Sequence, residues 1–146
     1  MHPTTTISRK CRYALRAIFE LALRDTTEAV KVQDIAAAQA IPPRFLEVIL
    51  AELKHGGFVE SRRGKDGGYV LAREPRELTV GQVIGFLHGG PKRAEARPDL
   101  MGAYAFSGMW EAVNHAVSSV YDKTTFAGLV EQEVARRTAY VPNYAI

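Results

Sequence analysis

The stretch IPPRFLEVILAELKHGGFVESRRGKDGGYVLA, residues 41–72, decides the fold of this chain. Pro42 redirects the backbone, and Pro43 suits the first turn of a new helix, where a missing N–H costs nothing. From there Leu46, Ile49, Leu50 and Leu53 recur at helical spacing, so a helix running to about His55 has one apolar face. Gly56-Gly57 stops it. Phe58-Val59-Glu60-Ser61 and Tyr69-Val70-Leu71-Ala72 then read as two short strands. The loop between them holds Arg62, Arg63 and Lys65 together with Gly64, Gly67 and Gly68, glycines able to take the positive φ values of a tight hairpin. Upstream, residues 31–39 read as a short helix with Val32, Ile35 and Ala36 on one face. Two helices around a tight turn, then a basic hairpin, are the order of a winged helix-turn-helix, although the usual turn glycine is absent.

The flanks extend this reading. Residues 8–25 predict a helix with Leu15, Ile18 and Ala22 in register, widened by Phe19 and Leu21. Thr79 and Gln82 have the spacing of a capping box before a helix faced by Val80, Val83, Ile84 and Leu87. Residues 88–105, rich in Gly, Pro and charge, predict a linker. A long helix is expected from Ser107 to Asp122, with a seam of Met109, Trp110, Val113, Ala116, Val117 and Val120 able to pack against a copy of itself. Thr125 is the expected cap of a last helix bearing Phe126, Leu129, Val130 and Val134. The aromatic tail Tyr140-Val-Pro-Asn-Tyr-Ala-Ile146 has no assigned role. The expected fold class is therefore mainly α with a small β-hairpin wing: a winged helix-turn-helix over residues 1–88, a linker over 89–106, and dimerisation helices with a tail over 107–146.

Charge points to a partner. Residues 1–80 hold 13 Lys/Arg against 10 Asp/Glu, a net of +3, whereas residues 81–146 hold 6 against 6, a net of 0. A basic half beside a neutral half suits a polyanion. The single cysteine, Cys11, excludes an intrachain disulfide and suits a reducing compartment. Arg9, Lys10, Arg12 and Arg16 interrupt any secretory pattern, and no long uncharged apolar run exists, so a cytoplasmic protein without membrane contact is expected.

In a winged helix the second helix of the motif enters the major groove with its first turns at the base edges. Those turns carry Pro43, Arg44, Phe45 and Glu47. Arg44 suits guanine, and Glu47 suits a cytosine amino group. Arg62, Arg63 and Lys65 of the wing would meet backbone or minor groove, where negative potential is concentrated. Other chemistries fit less well. Gly64-Lys-Asp-Gly67 has the spacing of an RNA-clamping GxxG loop, but that loop should join two helices. His88-Gly-Gly-Pro91 resembles an esterase oxyanion stretch, yet no G-x-S-x-G elbow accompanies it, and no catalytic constellation is expected. His2, His55, His88 and His115 lack metal-ligand spacing, which leaves a metal or haem site dependent on folding. Cys11 reads first as a packed small residue; the alternative is a redox thiol, because Arg9, Lys10 and Arg12 beside it could lower its pKa.

The segments Arg12-Tyr-Ala-Leu-Arg-Ala17, Ile41-Pro-Pro-Arg-Phe-Leu-Glu47, Leu50-Ala-Glu-Leu53, Gly57-Phe-Val-Glu-Ser-Arg-Arg-Gly64, Gly67-Gly-Tyr-Val-Leu-Ala72 and Leu78-Thr-Val-Gly-Gln-Val-Ile84 resemble the IscR/NsrR/CymR family of bacterial winged-helix regulators, the Rrf-two type. The likeness extends to Met109-Trp110 and Thr125-Phe-Ala-Gly-Leu129. It implies a homodimeric, sequence-specific transcription regulator, usually a repressor, on a palindromic operator in double-stranded DNA. It implies Arg63 as a minor-groove contact, Arg44, Phe45 and Glu47 as reading positions, and the long helix as the dimer seam. Many members hold an iron–sulfur cluster on cysteines just before that helix. Here residues 88–106 contain no cysteine, and Tyr104 and Ser107 stand near where the last cysteine and a histidine would fall. Cluster chemistry needs thiolates, so no iron–sulfur cluster is expected, and a small-molecule effector or partner protein would supply the signal. Pro42 stands where members often carry Ser, removing a hydroxyl cap. A winged-helix protein-interaction adaptor is the main reading without DNA.

Overall fold

The computed structural model describes residues 7–24, 27–89 and 97–139. Six helices and one hairpin follow in the order α1 (Arg9–Arg24), α2 (Val32–Gln39), α3 (Pro43–His55), β1 (Val59–Arg62), β2 (Gly68–Leu71), α4 (Val80–His88), α5 (Ala103–Lys123) and α6 (Phe126–Ala139). The observed fold is thus mainly helical with one antiparallel two-stranded hairpin, in which Val59 faces Leu71 and Arg62 faces Gly68.

One core joins most of these elements. Ile18 and Leu21 of α1, Ile35 of α2, Leu46, Ile49, Leu50 and Leu53 of α3, and Val80 and Val83 of α4 are buried together. The α3 residues are the apolar stripe read from the sequence, and all four are fully buried. The capping box is formed: Gln82 N donates to Thr79 Oγ1 at 3.1 Å, and Thr79 N donates to Gln82 Oε1 at 3.0 Å. Thr125 Oγ1 accepts from Gly128 N at 3.0 Å, as its position before α6 predicts.

Three features differ from the sequence reading. The long helix starts at Ala103, inside the expected linker, because Ala103-Tyr-Ala-Phe106 are compatible with helix once Gly102 turns the chain at φ +92°. The start of α6, read as part of the dimerisation segment, also joins the common core. Phe126 lies fully buried in the common core, and Phe126 N donates to Leu78 O at 3.0 Å while Val80 N donates to Thr124 O at 2.9 Å. Third, Val30 bridges Tyr69 in antiparallel fashion, with N···O distances of 2.9 and 2.8 Å. That bridge ties the root of the hairpin to the segment before α2. The aromatic tail lies outside the described residues.

The turn between α2 and α3 shows how a helix-turn-helix forms without glycine. Ala40 takes the left-handed conformation itself, at φ +51° and ψ +50°, a state that is costly for an L-residue. Neighbouring groups hold it there. Ile41 N donates to Ala36 O at 3.0 Å. The Gln39 amide donates to Glu20 Oε1 at 2.9 Å, and the Arg16 guanidinium donates to the Gln39 carbonyl. Glu20, nearly buried on α1, is itself paired with Arg24 at 2.7 Å. The turn is thus pinned to α1 by side chains.

Candidate nucleic-acid interface

The outer face of α3 follows from its inner face. Once Leu46, Ile49, Leu50 and Leu53 point inward, helical geometry turns Pro43, Arg44 and Glu47 outward, and all three are exposed. Pro42 occupies the N-cap without a side-chain hydrogen bond, so the first N–H groups of α3 receive no hydroxyl cap from it. Phe45 is 40% exposed and braced from behind: its ring meets Tyr13 of α1 edge-on, with centroids 5.6 Å apart. The Arg16 guanidinium lies 5.6 Å from the Tyr13 ring centroid, completing a stack from α1 to Phe45. Lys10 of α1 bonds Glu52 of α3 at 2.6 Å and fixes the same two helices further along.

The wing projects Arg62, Arg63 and Lys65 into solvent, with Asp66 as the one acid at the tip. Its glycines have different tasks. Gly64 sits at φ +108°, which L-residues rarely adopt. Gly67 is not in that region; a Cβ there would lie 2.5 Å from the Arg62 carbonyl oxygen, so the tight turn needs its missing side chain. Gly68 needs both, at φ +156° and with the Val30 carbonyl oxygen 2.2 Å from where a Cβ would sit. At the base of the hairpin Arg73 donates to the Gly57 and Gly56 carbonyls at 3.2 and 3.3 Å, and its guanidinium lies 4.4 Å from the Phe58 centroid. This cation satisfies carbonyls at the C-terminal end of α3 while fixing where the wing begins.

Other expectations separate here. Gly64 to Gly67 joins two antiparallel strands, so the RNA-clamp geometry is not formed. His88 ends α4 and Gly89 is its left-handed C-cap, with its N–H on Gly85 O at 2.9 Å, an ordinary helix terminus. Cys11 sits as the packed small residue read first from the sequence. It is fully buried, and burial pushes its pKa up to about 11, the reverse of activation. Two of its cationic neighbours are turned elsewhere: Lys10 onto Glu52, and Arg12 onto the Ile7 carbonyl at 3.3 Å. The seam residues divide. Met109, Ala116 and Val120 are exposed, whereas Trp110, Val113 and Val117 are half-buried.

The region before α5 is where an iron–sulfur site would find its donors. Its described part offers Asp99, Met101 and Tyr104. Asp99 already accepts from Arg97 Nε and Nη2 at 3.2 and 3.1 Å, and this pairing lowers its pKa. Met101 and Tyr104 are exposed, and no thiol occurs in residues 89–106. Such a donor set does not fit a cluster held by thiolates. No described helix is long and apolar enough to cross a membrane.

Comparison with known proteins agrees with the geometry. The Rrf2 family, described as an iron-dependent transcriptional regulator, matches residues 7–132. A Mycobacterium tuberculosis chain named as an HTH-type transcriptional regulator is 36% identical over 141 residues, covering 89% of this chain and 86% of the relative. The HTH-type transcriptional regulator CymR of Bacillus subtilis is 33% identical over 135 residues, covering 92% of this chain and 96% of CymR. The solved structure of CymR, titled the global cysteine regulator of B. subtilis, superposes with a TM-score of 0.79 at 33% identity, covering 87% of this chain and 97% of that one. IscR of T. potens follows at a TM-score of 0.76 and 31% identity, covering 96% and 95%. A winged helix with an outward-facing second helix, a basic wing and a match over most of its length, this chain belongs to the Rrf2 family of transcriptional regulators.

Proposed function

We propose that the chain is a sequence-specific DNA-binding repressor that acts as a homodimer on a palindromic operator, without an iron–sulfur cluster. The observation that carries the DNA reading is the shared exposure of Arg44, Phe45 and Glu47 on α3 and of Arg62, Arg63 and Lys65 on the wing. Base-edge contacts and backbone charges belong to two elements tied to one core. α5 supports the dimer. None of its 21 residues is fully buried, and Phe106 at 60% and Val120 at 63% exposure leave an apolar stripe uncovered. Phe106, Met109, Val113, Ala116 and Val120 alternate three and four residues apart, the spacing of a two-helix seam. A two-fold pair of recognition helices explains the palindrome. The cluster-free reading rests on the donor set described above, and a small molecule or partner protein then carries the signal.

The test is a titration of anaerobically purified protein against the DNA upstream of its own gene at two salt concentrations, with a visible spectrum of the same sample. Tight, salt-sensitive, sequence-preferring binding from a colourless dimer is expected. A brown sample would overturn the cluster-free assignment. No preference over random DNA at either salt would overturn the DNA reading and favour the adaptor.

A further inference from the structure

Val48 is an anomaly in the recognition helix. It is 57% exposed, more than any other large hydrophobic residue described between residues 7 and 89. A single exposed apolar residue ordinarily needs no explanation. This one stands on the helix assigned to the major groove, one turn after Arg44 and one turn before Ala51, both exposed. The buried stripe of α3 points the other way, so Val48 serves no part of the core. Valine is also a poor helix former, and the site would be better filled by Ala or a long polar residue if only helix stability mattered. A local rule broken without structural return marks a functional position. Its stiff, β-branched side chain holds two methyl groups in a defined rotamer.

We propose that Val48 is a specificity-determining residue that packs against the 5-methyl group of a thymine in each operator half-site. Thymine alone among the bases presents a methyl in the major groove, and small apolar side chains are its partners. Arg44, four residues earlier, offers donors to an adjacent guanine edge, so an apolar and a charged reader lie in succession along the groove. The inference rests on the reading of α3 as the DNA-contacting helix. A shallow hollow formed by Val48, Ala51, His55, Phe86 and Leu87 would alternatively seat a protein, and the experiment separates the two.

An operator is first selected by the purified chain from randomised duplex DNA. Each thymine is then replaced in turn by uracil, which removes only the methyl, and binding is measured for the wild type and for Val48→Ala. For the wild type, one thymine per half-site is expected to cost roughly fourfold in affinity, the worth of one buried methyl group. Val48→Ala, which loses the contact in both half-sites of the dimer, is expected to bind the natural operator roughly sixteenfold more weakly, to be indifferent to the same uracil, and to keep its salt dependence. The residue is exposed, so the variant folds. Equal methyl sensitivity in both proteins, or none in the wild type, overturns the assignment while leaving operator recognition intact, and would move the hollow to a protein partner. Failure to select any sequence would defeat the DNA reading itself, and the inference with it.

Discussion

Gly68→Ala is a sharp test of how the wing is held. The added Cβ would lie 2.2 Å from Val30 O, 2.5 Å from Val30 C and 2.9 Å from Lys31 N, all backbone atoms that no rotamer change can move. Relief to ordinary contact requires the strands to separate by about 1 Å. The two bridge hydrogen bonds, at 2.9 and 2.8 Å, would then exceed hydrogen-bonding range. Each is worth about 1 kcal/mol net. Holding an L-residue at φ +156° adds about 1–2 kcal/mol. The sum is about 3–4 kcal/mol, a large part of the roughly 5–15 kcal/mol that stabilises a domain. Gly64→Ala is the control: it meets the φ penalty alone, since nothing lies within 4 Å of its Cβ position. Urea unfolding should show the Gly68 variant less stable than the Gly64 variant by about 2 kcal/mol, the share of the bridge. If the wing detaches locally instead, the melting shift shrinks and operator affinity falls in its place. A Gly68 variant within about 1 kcal/mol of wild type that also binds operator normally would refute the argument.

Further predictions concern the interface, the seam and the thiol. Arg63→Ala should cost about 1–3 kcal/mol at the operator and flatten the salt dependence, as titrations at several salt concentrations would reveal. Val120→Asp places a charge on the uncovered stripe of α5 without disturbing the protomer core, so light scattering should report monomers and operator affinity should fall through lost avidity. For Cys11 the folded pKa of about 11 lies above the ordinary value of 9.0, so the unfolded chain ionises first. Folding stability should therefore be unaffected by this group below pH 9 and should decline between pH 9 and 11, by up to about 2 kcal/mol. Comparison with Cys11→Ala by denaturant titration across that window would isolate the contribution.

The sequence spoke clearly where the signal was local. Pro43 and Gly56-Gly57 bound α3 at both ends because proline and glycine act on their own backbone. The Thr79–Gln82 box was equally legible, since both its hydrogen bonds close within one turn. What escaped was contact between distant segments. Nothing near Gly68 announces that Val30 will lie against it, nothing near Arg73 names the carbonyls of Gly56 and Gly57, and nothing marks Tyr13 as the support of Phe45. The start of α5 is not legible, because the glycine and charge preceding it read as loop, whereas Ala103-Tyr-Ala-Phe106 carries no strong signal of either kind. The packed reading of Cys11 holds over the redox one because neighbours in sequence on a helix point in different directions, so three adjacent cations need not share its surroundings. The outward face of α3 is legible by subtraction from its inward one, but the sequence alone does not set Val48 apart from its neighbours; its exposure does.

The burial of Cys11 also makes the molecule its own clock. It is the only thiol in the chain, and it is sealed in the face of α1 that packs into the core. A thiol reagent can modify it only during excursions that lift α1 from its neighbours, so the labelling rate counts those openings. Because Tyr13, Lys10 and Glu20 on the same helix brace α3 and the turn before it, that rate reports how often the proposed DNA-reading surface comes apart. Operator DNA should slow the labelling in proportion to its occupancy, giving a measure of binding from the interior of the protein with no probe attached to its surface.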